Sequence, residues 1–347
     1  MGSPAQEVAR IRLPAERTAA DALVPEYVSA RTQPAPGDPA AHRRALLSTA
    51  LLLTETMAPR AYAVGRDVMT TLGVAGRLEL YQSGDGGDNA QLVLHGDPIG
   101  VRFTGGCLAS LEGASLAAVL GHEIGHALAH LGDPSFAWLF GPTVWRSRNR
   151  EVYALASELT ADRFGLLACG DLQAALRVEM HGVVGAAAPA LQLDTAAYLD
   201  QCRTLGEDAL ARGTVVHGHT HPEHYIRGYA AWLFSETDLY ASLGGKGPGT
   251  RPIAAVDAIL GRLIGAGDPA SVHPNRSFAP PRTAPPDVWV AAPRPEPVAR
   301  AASQALAATR DVLASIAGRV RDDATSGVLM LVHGRGGPDR AIPRRKR

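Results

Sequence analysis

From about residue 39 to residue 266, apolar positions recur mostly at helical spacing, interrupted once by a stretch of alternation. AAHRRALLSTALLLTETM carries apolar residues through several turns and predicts a helix, which Pro59 breaks before a second, RAYAVGRDVMTTLGV. RLELY then alternates Leu78 and Leu80 against polar neighbours, GDGGDN predicts a turn, and QLVLHG and IGVRFTG predict two more strands. LASLEGASLAAVLG, with Leu116, Val119 and Leu120 at helical spacing, leads directly into HEIGHALAH, His122 to His130. A further helix, EVYALASELTADRFGLLA, ends at Gly170 before DLQAALRVEMHGVV, and GYAAWLFSETDLYASL and AAVDAILGRLIGAG predict the last helices of this region. The pattern is that of an α+β chain, predominantly helical, with a small mixed or antiparallel sheet.

Composition sets the limits of that region. Residues 1–38 are rich in Ala, Pro and Arg and read as an extended arm or loose helix closed by a linker. Residues 39–266 form the domain, 267–297 a Pro-rich linker, 298–325 a C-terminal helix and 326–347 a basic tail. The Pro-rich C-terminal region is a candidate docking segment for a protein partner. Lys and Arg together number 34, as do Asp and Glu, so no overall field favours nucleic acid or an anionic membrane. Cys107, Cys169 and Cys202 make no C-x-x-C and cannot all pair, which fits a reducing compartment. The start lacks the apolar core of a signal peptide, and no apolar run is long enough to span a bilayer. A cytoplasmic location is the expectation. The aromatic stretch LGDPSFAWLFGPTVW either packs or covers a cleft.

The chemistry concentrates at two points. His122 and His126 stand four apart on a helix and can present both imidazoles to one metal ion, with Glu123 beside them to take a proton from a water. A zinc site of this kind needs a third protein ligand, and Ser157-Glu158-Leu159-Thr160-Ala161-Asp162 supplies it: Glu158 as ligand, Asp162 as the acceptor that fixes a histidine tautomer. Read without the histidines, Glu158 and Asp162 would be a solvated charged face paired with Arg163. The strand through Ile99, Val101 and Phe103 either binds an extended substrate by strand addition or only packs. VVHGHTHPEHYIR gathers His217, His219, His221 and His224; a solvated loop, or one histidine reaching the metal, fits better than a second metal site.

HEIGH followed by SELTADRFG resembles the HtpX-like and CaaX-prenyl-protease-like zinc metallopeptidases, a gluzincin group that also includes the Oma-type and BepA-type proteases. NAQLVLHGDPIGVRFTGGCLASL with LAAVLGHEIGHALAH is similar to that family's edge strand, turn and ligand helix, and THPEHYIR to its THP...R element. The similar region runs from about residue 40 to 235. The resemblance implies a zincin (gluzincin) fold with an edge strand beside the HExxH helix, one Zn2+ per chain on His122, His126 and Glu158, Glu123 as catalytic base, and Asp162 behind the ligands. It further implies that His221 lies near the metal, stabilising an oxyanion or closing the fourth coordination position at rest, and that Arg227 is structural or supports the oxyanion. Two departures bear on the substrate pocket. The only Ser-Arg pair, Ser147-Arg148, lies well before Glu158, and His130 follows the second ligand at four residues rather than five. The absence of membrane-spanning runs sets the chain apart from the integral-membrane branches, as a soluble member.

The function expected is therefore that of a zinc metalloendopeptidase hydrolysing polypeptide substrates, with Glu123 as general base. Two alternatives share the site: a zinc-stabilised scaffold or chaperone-like binding module that cleaves nothing, and a zinc amidase acting on small molecules.

Overall fold

The computed structural model describes residues 4–30, 39–84, 87–130, 148–185, 191–213 and 221–266. The aromatic stretch after His130, His217 and His219, and the Pro-rich linker, helix and tail expected beyond residue 266 lie outside these. The chain divides into two units, residues 1–34 with 46–272, and residues 35–45 with 273–347. Of the second, only 39–45 is described, the first turns of a helix, and all that follows concerns the first.

The described helices are α1 (Pro4–Ile11), α2 (Pro14–Ala30), α3 (Pro39–Leu47), α4 (Pro59–Thr71), α5 (Cys107–Ser110), α6 (Gly113–His130), α7 (Arg148–Cys169), α8 (Leu172–Val184), α9 (Thr195–Arg212), α10 (His224–Ser235), α11 (Asp238–Ser242) and α12 (Ile253–Leu263). The strands are β1 (Leu51–Leu53), β2 (Leu78–Ser83), β3 (Asn89–His95) and β4 (Ile99–Thr104), in the order β1-β2-β4-β3. β1 with β2 and β3 with β4 are antiparallel, while β2 and β4 are parallel in the register Leu78 to Ile99 through Ser83 to Thr104. The fold is α+β, mostly helical, with a small mixed sheet.

Two apolar layers hold the site. Leu80, Val101 and Phe103 on one face of the sheet pack with Tyr62 and Val68 of α4 and with Leu116, Leu120 and Ile124 of α6. On the other side, Tyr153, Leu155 and Leu159 of α7 pack with Leu23 of α2, Ile226 and Leu233 of α10, and Leu260 and Leu263 of α12. α6 and α7 lie between these layers and touch directly. A Cβ at Gly121 would stand 2.4 Å from Ala168 Cβ, and one at Gly125 2.6 Å from Phe164 Cβ. The glycines let the two helix backbones approach closely enough for side chains from both to share one ligand.

Three expectations are corrected. AAHRRALLSTALLLTETM is not one helix, because α3 stops at Leu47 and Leu51–Leu53 joins the sheet beside β2. Tyr62 Oη donates to the Leu53 carbonyl at 2.8 Å, fixing the strand to α4. A run of three leucines has no period of its own, so the neighbours decide. Of the two readings of the N-terminal segment, extended arm or loose helix, residues 4–30 take the helical one, as two helices packed into the core rather than loose. Leu13 and Leu23 are wholly buried, Leu13 N–H donates to Thr160 Oγ1 at 3.1 Å, and Arg163 Nη1 donates to the Ile11 carbonyl at 2.9 Å. Finally, β4 is no surface for strand addition. It is paired on both sides, and Val101 and Phe103 are wholly buried with Ile99 at 7% exposure. Among the described strands, β3 is the edge that lies beside α6.

Candidate metal centre

The two histidines come from the middle of α6 and the two carboxylates from the facing stretch of α7, each pair four residues apart and so on one side of its helix. His122 Nε2 and His126 Nε2 stand 3.1 Å apart, Glu158 Oε2 lies 3.4 Å from the first, and Glu158 Oε1 lies 3.5 Å from the second. One ligand atom from each of the three residues falls within 4.8 Å of the others. For bonds of about 2.05 Å the edge of a tetrahedron is about 3.3 Å, close to what these residues present. Glu158 Oε2 is buried and accepts no hydrogen bond within the described residues, although His122 Nε2 and His221 Nε2 lie 3.4 and 3.5 Å from it. The group could hold a metal ion.

Asp162 settles which nitrogen of His122 faces that group. Burial pushes its carboxyl pKa up, but the charge and hydrogen bonds of Arg227, with that of His122, outweigh burial and bring it down from 3.8 to about 2. Ionised, it can only accept, so His122 Nδ1 donates to its Oδ1 at 2.9 Å and Nε2 is turned to the site. Burial also disfavours a charged His122, yet Asp162 and Glu158 outweigh it and raise the imidazole to about 10. Burial likewise works against an ionised Glu158, and His126 and His122 more than reverse it, holding that carboxyl well below its usual range. The pocket therefore favours positive charge at Nε2, whether a proton or a metal cation.

Glu123 is 7% exposed and does not join the three ligands. Its Oε2 accepts from the backbone N–H of Leu92 on β3 at 2.6 Å. Burial raises its pKa, with His122 and His126 opposing the rise. A carboxylate beside a metal group, with a raised proton affinity and a seat against an edge strand, is suited to carry a proton.

His221 Nε2 lies 3.5 Å from Glu158 Oε2, and its side chain, 61% exposed, stands at the rim of the group. Arg227 is turned elsewhere. Its Nε donates to Asp162 Oδ2 at 2.9 Å and its Nη2 bonds Asp162 Oδ1, while Nη2 also lies 3.1 Å from Glu179 Oε1. These contacts make it a support for Asp162, beneath the ligands. Ile99, Val101 and Phe103 take no part in the site; the strand that does is β3, through Leu92. Glu179 went unnoticed in the sequence, and His224, read there only as one of four clustered histidines, is joined to it at 3.0 Å between Nδ1 and Oε2. The one signal was that His224 precedes Arg227 by a helical turn and so shares its face.

Compared with family models, curated proteins and solved structures, the chain finds no match. Among the described residues no helix is long and apolar enough to cross a membrane.

Proposed function

We propose that this chain is a zinc-dependent endopeptidase of the gluzincin type, related to the HtpX-like proteases. The observation that carries the reading is Glu123. A structural metal site closes its coordination with protein ligands and has no use for a further carboxylate; here one lies buried beside His122, His126 and Glu158 without belonging to them. The donor set of two imidazoles and one carboxylate is that of catalytic zinc, and zinc bound there would supply Lewis acidity and an acidified water.

The protein's own part follows from the geometry. Asp162 holds His122 in one tautomer, and Arg227 holds Asp162 ionised. Glu123 takes a proton from the attacking water and delivers it to the departing amine, a transfer that its raised pKa favours. An extended polypeptide adds along the rim of β3 opposite β4, the rim from which Leu92 N–H reaches Glu123. His221, at the rim of the group, is placed to donate to a developing oxyanion.

Cleavage of unfolded casein by the wild type and by Glu123→Gln tests this. Wild type is expected to cleave, and the variant to retain its metal but lose about 10²-fold or more in rate. Full activity in Glu123→Gln would remove Glu123 from the mechanism. Metal in both proteins with cleavage by neither would favour the scaffold, and turnover of small amides but not of casein would favour the amidase.

A further inference from the structure

Behind the ligands, a line of alternating charges crosses four helices. It starts at His122 on α6, passes to Asp162 on α7 at 2.9 Å and on to Arg227 of α10. From Arg227 Nη2 it continues 3.1 Å to Glu179 Oε1 on α8, and from Glu179 Oε2 it returns 3.0 Å to His224 Nδ1 on α10. Arg227 and Glu179 are nearly enclosed, with side chains 14% and 10% exposed, whereas His224 at 46% reaches the surface.

The geometry makes Glu179 more than a counter-charge. Arg227 donates from Nε and Nη2 to Asp162 of α7, and the Glu179 carboxylate of α8 stands 3.1 Å from the same Nη2 as an ion-pair partner from a different helix. Asp162 engages one edge of the guanidinium, and the charge of Glu179 beside Nη2 holds the guanidinium between the two carboxylates. The plane of the Asp162 carboxylate follows the guanidinium it pairs with, and on that plane depends whether Oδ1 meets His122 Nδ1. Glu179 is in turn anchored by His224. Because His224 and Arg227 lie one turn apart, Glu179 grips α10 at two points on one face.

We propose that Glu179 is a positioning residue for the metal centre, acting through Arg227 and Asp162 on His122 and anchored by His224. The proposal rests on the reading that His122, His126 and Glu158 hold a metal.

The test is cobalt(II) binding by the full chain, with affinity from chelator competition and ligand geometry from the visible absorption bands. Glu179→Gln keeps the volume and one acceptor oxygen but removes the charge. It is expected to keep the wild-type far-UV circular dichroism, to bind cobalt about tenfold more weakly, at the low end for partners of a ligating histidine, and to shift the visible bands. His224→Ala should lose less, about threefold, and the double variant should be no weaker than Glu179→Gln alone, because the two act in series. Wild-type affinity and bands in Glu179→Gln would overturn the proposal. So would a lowered urea midpoint with unchanged bands, the mark of a merely structural residue. Should Glu179→Gln fail to fold, the half-exposed His224→Ala decides: a weaker affinity supports the proposal, and an unchanged one overturns it. A wild type that takes up no cobalt would refute the metal reading itself, and the proposal with it.

Discussion

Asp162 is the residue on which the centre turns, since it accepts from His122 on one side and is clamped by Arg227 on the other. Asp162→Asn keeps the shape but loses the charge, and is expected to weaken zinc binding by about 10- to 100-fold in a chelator competition. The same residue yields a pH prediction for the metal-free protein. Its folded pKa is depressed from 3.8 to about 2, so its contribution to stability is present above 3.8 and lost as pH falls through about 2. Urea midpoints of wild type and Asp162→Asn should therefore differ most above pH 4 and converge toward pH 2; a constant gap across that range would contradict the pairing. The ligands and Asp162 were legible in the sequence because a helix puts positions four apart on one side, whatever surrounds them. Glu179 and His224 were not. Their meeting depends on how α8 packs against α10, which nothing local in EMHG or HPEH encodes.

The α6–α7 pair is the element that builds the site, and its closeness depends on glycine. Gly125, inside the HEIGH motif, faces Phe164 so tightly that an added Cβ would stand 2.6 Å from Phe164 Cβ. Gly125→Ala is expected to cost about 1–3 kcal/mol in urea denaturation and to reduce metal retention, because separating the helices parts the histidines from Glu158. An unchanged midpoint and metal content would show that the approach is not needed. The helices themselves were readable from their period. The sheet was readable only as strands: alternation marks a strand but carries no information on strand order, so β4, considered for strand addition, is an inner strand and β3 is the edge. β1 was hidden for a related reason, since Leu51–Leu53 suits a helix or a strand equally until Leu53 meets β2 and Tyr62.

Over the unit of residues 1–34 and 46–272, the N-terminal helices belong to the core that supports α7. Glu16, wholly buried, accepts from Thr160 Oγ1 at 2.6 Å and pairs with Arg12 at 2.6 Å, while Leu13 and Leu23 fill the layer behind Leu155 and Leu159. The Pro, Ala and Arg composition concealed this, because a few well-placed leucines outweigh the average of a segment. Leu13 and Leu23 alone contribute about 1.5–3 kcal/mol each, so deleting residues 1–30 should lower the urea midpoint sharply and expose apolar surface to a reporter dye. A truncated chain as stable as the full one would restore the arm. What all these elements position is the His122, His126 and Glu158 group between α6 and α7, for which a single zinc is proposed. Elemental analysis of the full chain, purified without added metal or chelator and set beside Glu158→Gln, addresses it directly. One zinc per chain in the wild type and little in the variant is the expected result; no metal in the wild type, or equal metal in both, would contradict it.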